Sequence, residues 1–87
     1  MNQKWYLYIV ECKDKSLYTG ITKDVNRRVF EHNNDSIKGA KSLKGKKPVK
    51  LVYYEEYKSQ VGAAQREREI KNWKKEYKLK LIEKASL

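Results

Sequence analysis

The stretch from Tyr6 to Ile21, YLYIVECKDKSLYTGI, constrains the fold more than any other part of the chain. Two short apolar runs flank the polar break Lys13-Asp14-Lys15-Ser16, the pattern of a β-hairpin. A three-residue loop, Lys13 to Lys15, closed by Cys12 and Ser16, sets one register. Strand side chains alternate between faces, so Trp5, Leu7, Ile9, Leu17 and Ile21 then share an apolar face that belongs against a core. The opposite face carries Tyr6, Tyr8 and Tyr18, with Gly20 across from Tyr8. Glycine weakens a strand interior and often marks close approach of a ligand or backbone. A loop one residue longer or shorter would put Tyr8 and Tyr18 on opposite faces. Cross-strand tyrosines are also ordinary sheet formers, so the pair gains functional meaning only from residues further along the chain.

Next comes TKDVNRRVFEHN, residues 22–33. Thr22 or Asp24 caps a helix there, and Asn33-Asn34-Asp35-Ser36 ends it. Val25, Arg28, Val29 and His32 recur at helical spacing and form one stripe. The valines must face the sheet, so Arg28 and His32 face or closely flank it, while Arg27 points away. A guanidinium and an imidazole so placed need partners or a task, or they snorkel to the rim. Residues 33–48 hold five lysines, two glycines and the only proline. They read as a long loop, either functional or a solvated connection, whose lysines are suited to phosphates rather than bases. Residues 49–57 read as a third strand, with the odd positions more apolar.

Ser59 caps a second helix, from Gln60 to about Trp73. Ala63, Glu67, Ile70 and Lys74 share a narrow arc of it. Glu67 therefore stands beside apolar contacts, either salt-bridged to a cation such as Arg28 or kept for a metal. Tyr77, Leu81 and Ile82 come after it at helical spacing, and no Gly or Pro separates the two helical stretches.

The 87 residues suffice for one small domain, residues 1–87, with a thin core. The net charge of +10 is uneven: residues 1–37 carry six basic and five acidic side chains, residues 38–87 fifteen and six. A basic half points to a polyanion, most often nucleic acid, rather than a membrane. Cys12, the only cysteine, excludes an internal disulfide and, with a single histidine, a cysteine–histidine zinc site. The six-residue apolar run near the start is too short for a signal-peptide core or membrane span, which leaves the cytoplasm as the default.

Tyr6-Leu7-Tyr8, then Tyr18-Thr19-Gly20, Arg28, His32 and Glu67 in that order resemble the GIY-YIG nuclease superfamily, in particular its small, single-domain bacterial members. Leu17-Tyr18-Thr19-Gly20-Ile21-Thr22, Arg27-Arg28, His32-Asn33, Gly39-Ala40-Lys41 and Leu51-Val52-Tyr53 resemble that subgroup, so the likeness runs from Trp5 to Ile82. The resemblance implies an α+β fold, a three-stranded antiparallel sheet flanked by helices in the order β-β-α-β-α-α, with a break between the last two helices near Lys74 or Lys75. It implies catalytic roles for Tyr8, Tyr18, Arg28 and His32, a structural role at the site for Gly20, and one Mg²⁺ or Mn²⁺ ion on Glu67. The chain departs from the family where the first triplet lacks glycine and isoleucine, where Thr19 replaces isoleucine, and where Ile21 replaces a lysine of some members.

Phosphodiester hydrolysis needs an activated water and charge relief at phosphorus. Arg28 suits the non-bridging oxygens. Tyr8 would serve as base or water-positioner, its pKa lowered by Arg28 and a metal-bound water. Tyr18 would serve as a hydrogen-bond partner, and His32 as an alternative base or as the group orienting Tyr8. Lys38, Lys41, Lys44, Lys46 and Lys47 are the candidate nucleic-acid contacts. The expected partner is nucleic acid, DNA before RNA, with no membrane and no small-molecule cofactor. The alternatives are a nucleic-acid-binding module without useful catalysis, relying on the lysines of residues 38–50 and 71–80, and a protein-interaction domain whose charge is incidental.

Overall fold

The computed structural model describes residues 3–35 and 37–85. Strands β1 (Trp5–Glu11) and β2 (Leu17–Thr22) form the hairpin, followed by helix α1 (Val25–Asn34) and a 3₁₀ turn at Lys41–Leu43. Strand β3 (Lys50–Tyr57) and helices α2 (Gln60–Lys71) and α3 (Lys75–Ala85) complete the chain. The sheet is antiparallel in the order β2-β1-β3. The expected α+β architecture is therefore present, with the helical break at Asn72 to Lys74. Among the described residues, no helix is long and apolar enough to cross a membrane.

The hairpin takes the expected register: Tyr8 faces Gly20, Leu7 faces Ile21 and Glu11 faces Leu17. Its three-residue loop closes with Cys12 N–H donating to the Ser16 carbonyl at 2.8 Å. Lys15 occupies the left-handed position of that loop, with φ of 72°. Asp14 supports the turn by accepting from the Ser16 amide at 3.0 Å.

The odd face of the hairpin is a core, as alternation requires: Leu7, Ile9, Leu17 and Ile21 pack with Ile70 of α2 and Leu81 and Ile82 of α3. The even face is a second core rather than an open surface. There Tyr8, Val10 and Cys12 pack with Val25 and Val29 of α1 and with Leu43, Val49 and Leu51. Strand β3 serves both cores because its register slips. Ile9 faces Tyr53 whereas Val10 faces Leu51, so Val52 is an extra residue opposite β1. The bulge reverses the parity of the strand, and the odd positions divide: Val49 and Leu51 join the even-face core, Tyr53 and Tyr57 the odd-face core.

The segment expected as a loop is built rather than slack. Leu43 is buried and Ala40 packs beside it. Gly39 passes so close over the end of α1 that a Cβ there would lie 2.8 Å from the Asp35 carbonyl oxygen. The Asn33 side chain clamps the far end of the segment, donating to the Val49 carbonyl at 3.0 Å and accepting from its amide at 2.7 Å.

Helix caps fall where the sequence puts them. Asp24, not Thr22, caps α1 by accepting from the Arg27 amide, and Ser59 caps α2 by accepting from Gly62. A network not foreseen from the sequence joins β3 to α2: Glu55 accepts from Tyr53, Tyr57 and Arg66, and Arg66 also pairs with Glu69.

Candidate functional site

Strand β2 lies at the edge of the sheet, and groups from helices on both faces meet around it. Tyr8 reaches across from β1 and lies over Gly20. A Cβ at Gly20 would stand 2.7 Å from the Tyr8 oxygen, 2.9 Å from its Cζ and 3.1 Å from Tyr18 Cε2. The close approach that the glycine signalled is thus that of the two phenols. The Tyr8 and Tyr18 ring centroids are 6.3 Å apart, and the His32 ring lies 5.9 Å from the first and 5.5 Å from the second.

His32 is 2% exposed and Tyr8 1%. His32 Nε2 and the Tyr8 oxygen are 2.7 Å apart. The other ring nitrogen settles which of them donates. The Ala40 amide donates to His32 Nδ1 at 3.1 Å, so Nδ1 bears no proton. A neutral ring then carries its proton on Nε2 and donates it to Tyr8. Burial, with the charge of Arg28 added, lowers the His32 pKa to about 4. Protonating Nδ1 would also set it against the Ala40 amide. The imidazole is a neutral donor, with no nitrogen left over to act as a base.

The expected depression of the Tyr8 pKa calls for a metal-bound water beside Arg28; the protein's own groups together act in the other direction. Burial, aided by Tyr18, raises it well above the ordinary phenol value, and a hydrogen bond from Arg28 with that residue's positive charge offsets only part of this. The Tyr8 oxygen thus accepts from His32, feels the charge of Arg28, and keeps its own proton for another partner.

Arg28 is held on the sheet side of α1, as the stripe requires. Its Nη1 donates to Glu31 Oε1 at 3.0 Å and to the Lys38 carbonyl. Arg27 turns outward onto the other Glu31 oxygen at 3.4 Å. The expected alternative, a bridge between Arg28 and Glu67, is not formed: Glu67 pairs instead with Lys71, Nζ to Oε2 at 3.3 Å. The same ammonium lies 6.0 Å from the Tyr18 ring centroid, and the Glu67 charge is felt at Tyr8. Tyr8, Tyr18, Gly20 and His32 are therefore in mutual contact, Arg28 flanks them on α1, and Glu67 is linked to the group through Lys71. The i, i+4 spacing of Glu67 and Lys71 was the available sequence signal for that pair.

The candidate lysines are divided. Lys41, Lys44 and Lys47 line a hollow of about 560 Å³ together with Asp35 and the edge of His32. Lys38 is exposed, and its contribution near the site is its carbonyl. Lys46 is not available in the same way, because it turns to the hairpin, 3.3 Å from the Ser16 hydroxyl and 3.7 Å from Asp14.

Among the described residues, no three His, Cys, Asp or Glu side chains gather as a metal cluster. Glu67 is one hard oxygen donor in a partly open position, its side chain 21% exposed. Such a donor fits an ion that keeps most of its waters, as Mg²⁺ does, and does not fit zinc.

Residues 4–80 match the family described as the GIY-YIG catalytic domain. A UPF0213 protein of Staphylococcus epidermidis is 52% identical over 82 residues, spanning 94% of this chain and 98% of its own. A UPF0213 protein of Haloquadratum walsbyi is 49% identical over 86 residues, spanning 99% and 94%. The solution NMR structure of a UPF0213 protein from Bacillus halodurans is similar with a TM-score of 0.61 and 40% identity, covering 94% of this chain and 85% of that one.

Proposed function

Because the chain belongs to the GIY-YIG family, we propose that it hydrolyses phosphodiester bonds in DNA with the help of one divalent cation. The observation that carries this reading is the His32–Tyr8 hydrogen bond, 2.7 Å long and buried, set among a second phenol, a guanidinium and a carboxylate. A buried phenol and imidazole that satisfy each other hold one fixed geometry.

His32 acts as the positioning residue, because its Nε2 proton fixes the Tyr8 oxygen. Tyr8 stays protonated and offers that proton to the attacking water or a phosphate oxygen, which makes it a water-positioner rather than a base. Tyr18, half-buried beside it, supplies the second hydrogen bond. Arg28 exchanges its contact with the Lys38 carbonyl for the non-bridging oxygens, where a planar guanidinium binds in two-pronged fashion. Glu67 would hold Mg²⁺ or Mn²⁺, and the ion would supply charge relief at phosphorus. Lys41, Lys44 and Lys47 would engage flanking phosphates without reading sequence.

The test is cleavage of labelled duplex, single-stranded and branched DNA, and of RNA, in Mg²⁺ or Mn²⁺. Nicking by the wild type is expected, with Arg28→Ala and Glu67→Gln each lowering the rate about 100-fold or more, on the scale of losing one electrostatic stabiliser. Both variants should keep the fold and still bind DNA, Arg28→Ala with the loss of one phosphate contact. Failure of the wild type on every substrate would overturn the reading. The second reading, a binding module on the same scaffold, is favoured by the hollow that Lys41, Lys44 and Lys47 line. It requires DNA binding that is salt-sensitive and indifferent to Glu67.

A further inference from the structure

Resting on the reading of Glu67 as the metal carboxylate, we propose that Lys71 is a built-in counter-ion that holds Glu67 against divalent cations until a nucleic-acid phosphate draws it away. Lys71 Nζ sits 3.3 Å from Glu67 Oε2, one helical turn along α2, and 6.0 Å from the Tyr18 ring. The ammonium therefore covers one oxygen of the carboxylate, from the side of the Tyr18 ring, and competes there with any cation that Glu67 would hold. The two positive charges repel.

The pair is built to open. Glu67 is 21% exposed and fixed beside the core, whereas Lys71 is 50% exposed on a flexible stem. Among the described acids, no second carboxylate is paired with Lys71, so its ammonium leaves one partner when it turns. A phosphate arriving next to Arg28 offers a stronger one. Binding of nucleic acid then clears Glu67 for the cation, and the two ligands favour each other by the same factor.

The experiment measures Mn²⁺ affinity of the full chain by the electron-spin-resonance signal of the free ion, independently of cleavage. Lys71→Met is expected to bind Mn²⁺ about five- to tenfold more tightly than wild type, and Lys71→Arg no more tightly. Glu67→Gln should abolish the site in either background. With DNA, Lys71→Met should lower the slope of log affinity against log salt by about 0.9, one phosphate contact. Unchanged Mn²⁺ affinity in Lys71→Met, with the site lost in Glu67→Gln, would overturn the counter-ion while leaving the role of Glu67 intact. An unchanged salt slope would remove the phosphate step. Wild-type Mn²⁺ affinity in Glu67→Gln would overturn both this proposal and the metal role on which it rests.

Discussion

His32 uses both ring nitrogens within the fold, accepting from Ala40 and donating to Tyr8, and this gives the protein a pH dependence that belongs to one residue. Unfolded, His32 titrates near its ordinary 6.5; folded, burial and Arg28 lower this to about 4. The unfolded chain thus binds the proton more readily. The stabilisation is fully present above about pH 6.5 and is lost as pH falls toward 4, by about 3 kcal/mol at most. Glu55 is also shifted: burial opposes its ionisation, but hydrogen bonds from Arg66, Tyr53 and Tyr57 outweigh it and hold the carboxyl below its ordinary range. Its contribution is present above about pH 4.5 and departs at lower pH. Urea melts at about pH 7.5, 6.0 and 5.0 therefore isolate the histidine. Wild type should lose stability across that window, and His32→Gln should start about 1–2 kcal/mol lower and show a flatter profile. Equal slopes for the two proteins would show that His32 is not held neutral.

At the scale of elements, α1, the 3₁₀ turn and β3 act as one unit because Asn33 ties the end of the helix to the start of the strand. Asn33→Ala leaves an amide and a carbonyl of Val49 without partners, a loss of roughly 1–3 kcal/mol. The change should appear as faster amide exchange at Ala40 and Leu43, with the helices α2 and α3 unaffected, because the segment carrying the His32 acceptor bond is anchored there. Uniform acceleration across the molecule would instead mean that Asn33 supports global stability alone. This unit also marks where the sequence was readable and where it was not. The hairpin register followed from parity, since one choice of loop length put every large apolar residue of the odd set on one face. The bulge at Val52 was hidden, because an extra residue in a strand of valine, leucine and tyrosine leaves both parities apolar. The even-face core was hidden for a related reason. Its contributors, Cys12, Ala40, Leu43 and Val49, are spread over separate segments, and none makes a periodic pattern alone. The likeness to a known family brought Tyr8, Tyr18, Arg28, His32 and Glu67 together, but neither the tautomer of His32 nor the bond from Lys71 to Glu67 can be read from residue types. Both depend on backbone and side-chain positions that only the packed fold supplies.

For the molecule as a whole, charge is the quantity that sets its relation to a polyanion. The net charge is +10, yet several cations are already committed. Lys46 pairs with Asp14, Arg66 with Glu55 and Glu69, and Arg27 and Arg28 share Glu31. Only cations that can leave or lack such partners release counterions from DNA on binding, so the effective number is smaller than the formal charge. Lys41, Lys44 and Lys47 line one hollow together with His32, beside the candidate site. Replacing all three by glutamine should weaken DNA binding at every sequence tested and reduce the slope of log affinity against log salt by about 2 to 3, at roughly 0.9 for each phosphate lost. Lys46→Gln, by contrast, should change the slope by much less, because that side chain is turned to the hairpin and partly neutralised. Fluorescence anisotropy of a labelled duplex between about 50 and 200 mM salt covers the range in which such slopes are resolved. If Lys46→Gln lowered the slope as much as each of the other three lysines, binding would depend on the total charge of the segment and not on the direction in which the fold points each ammonium.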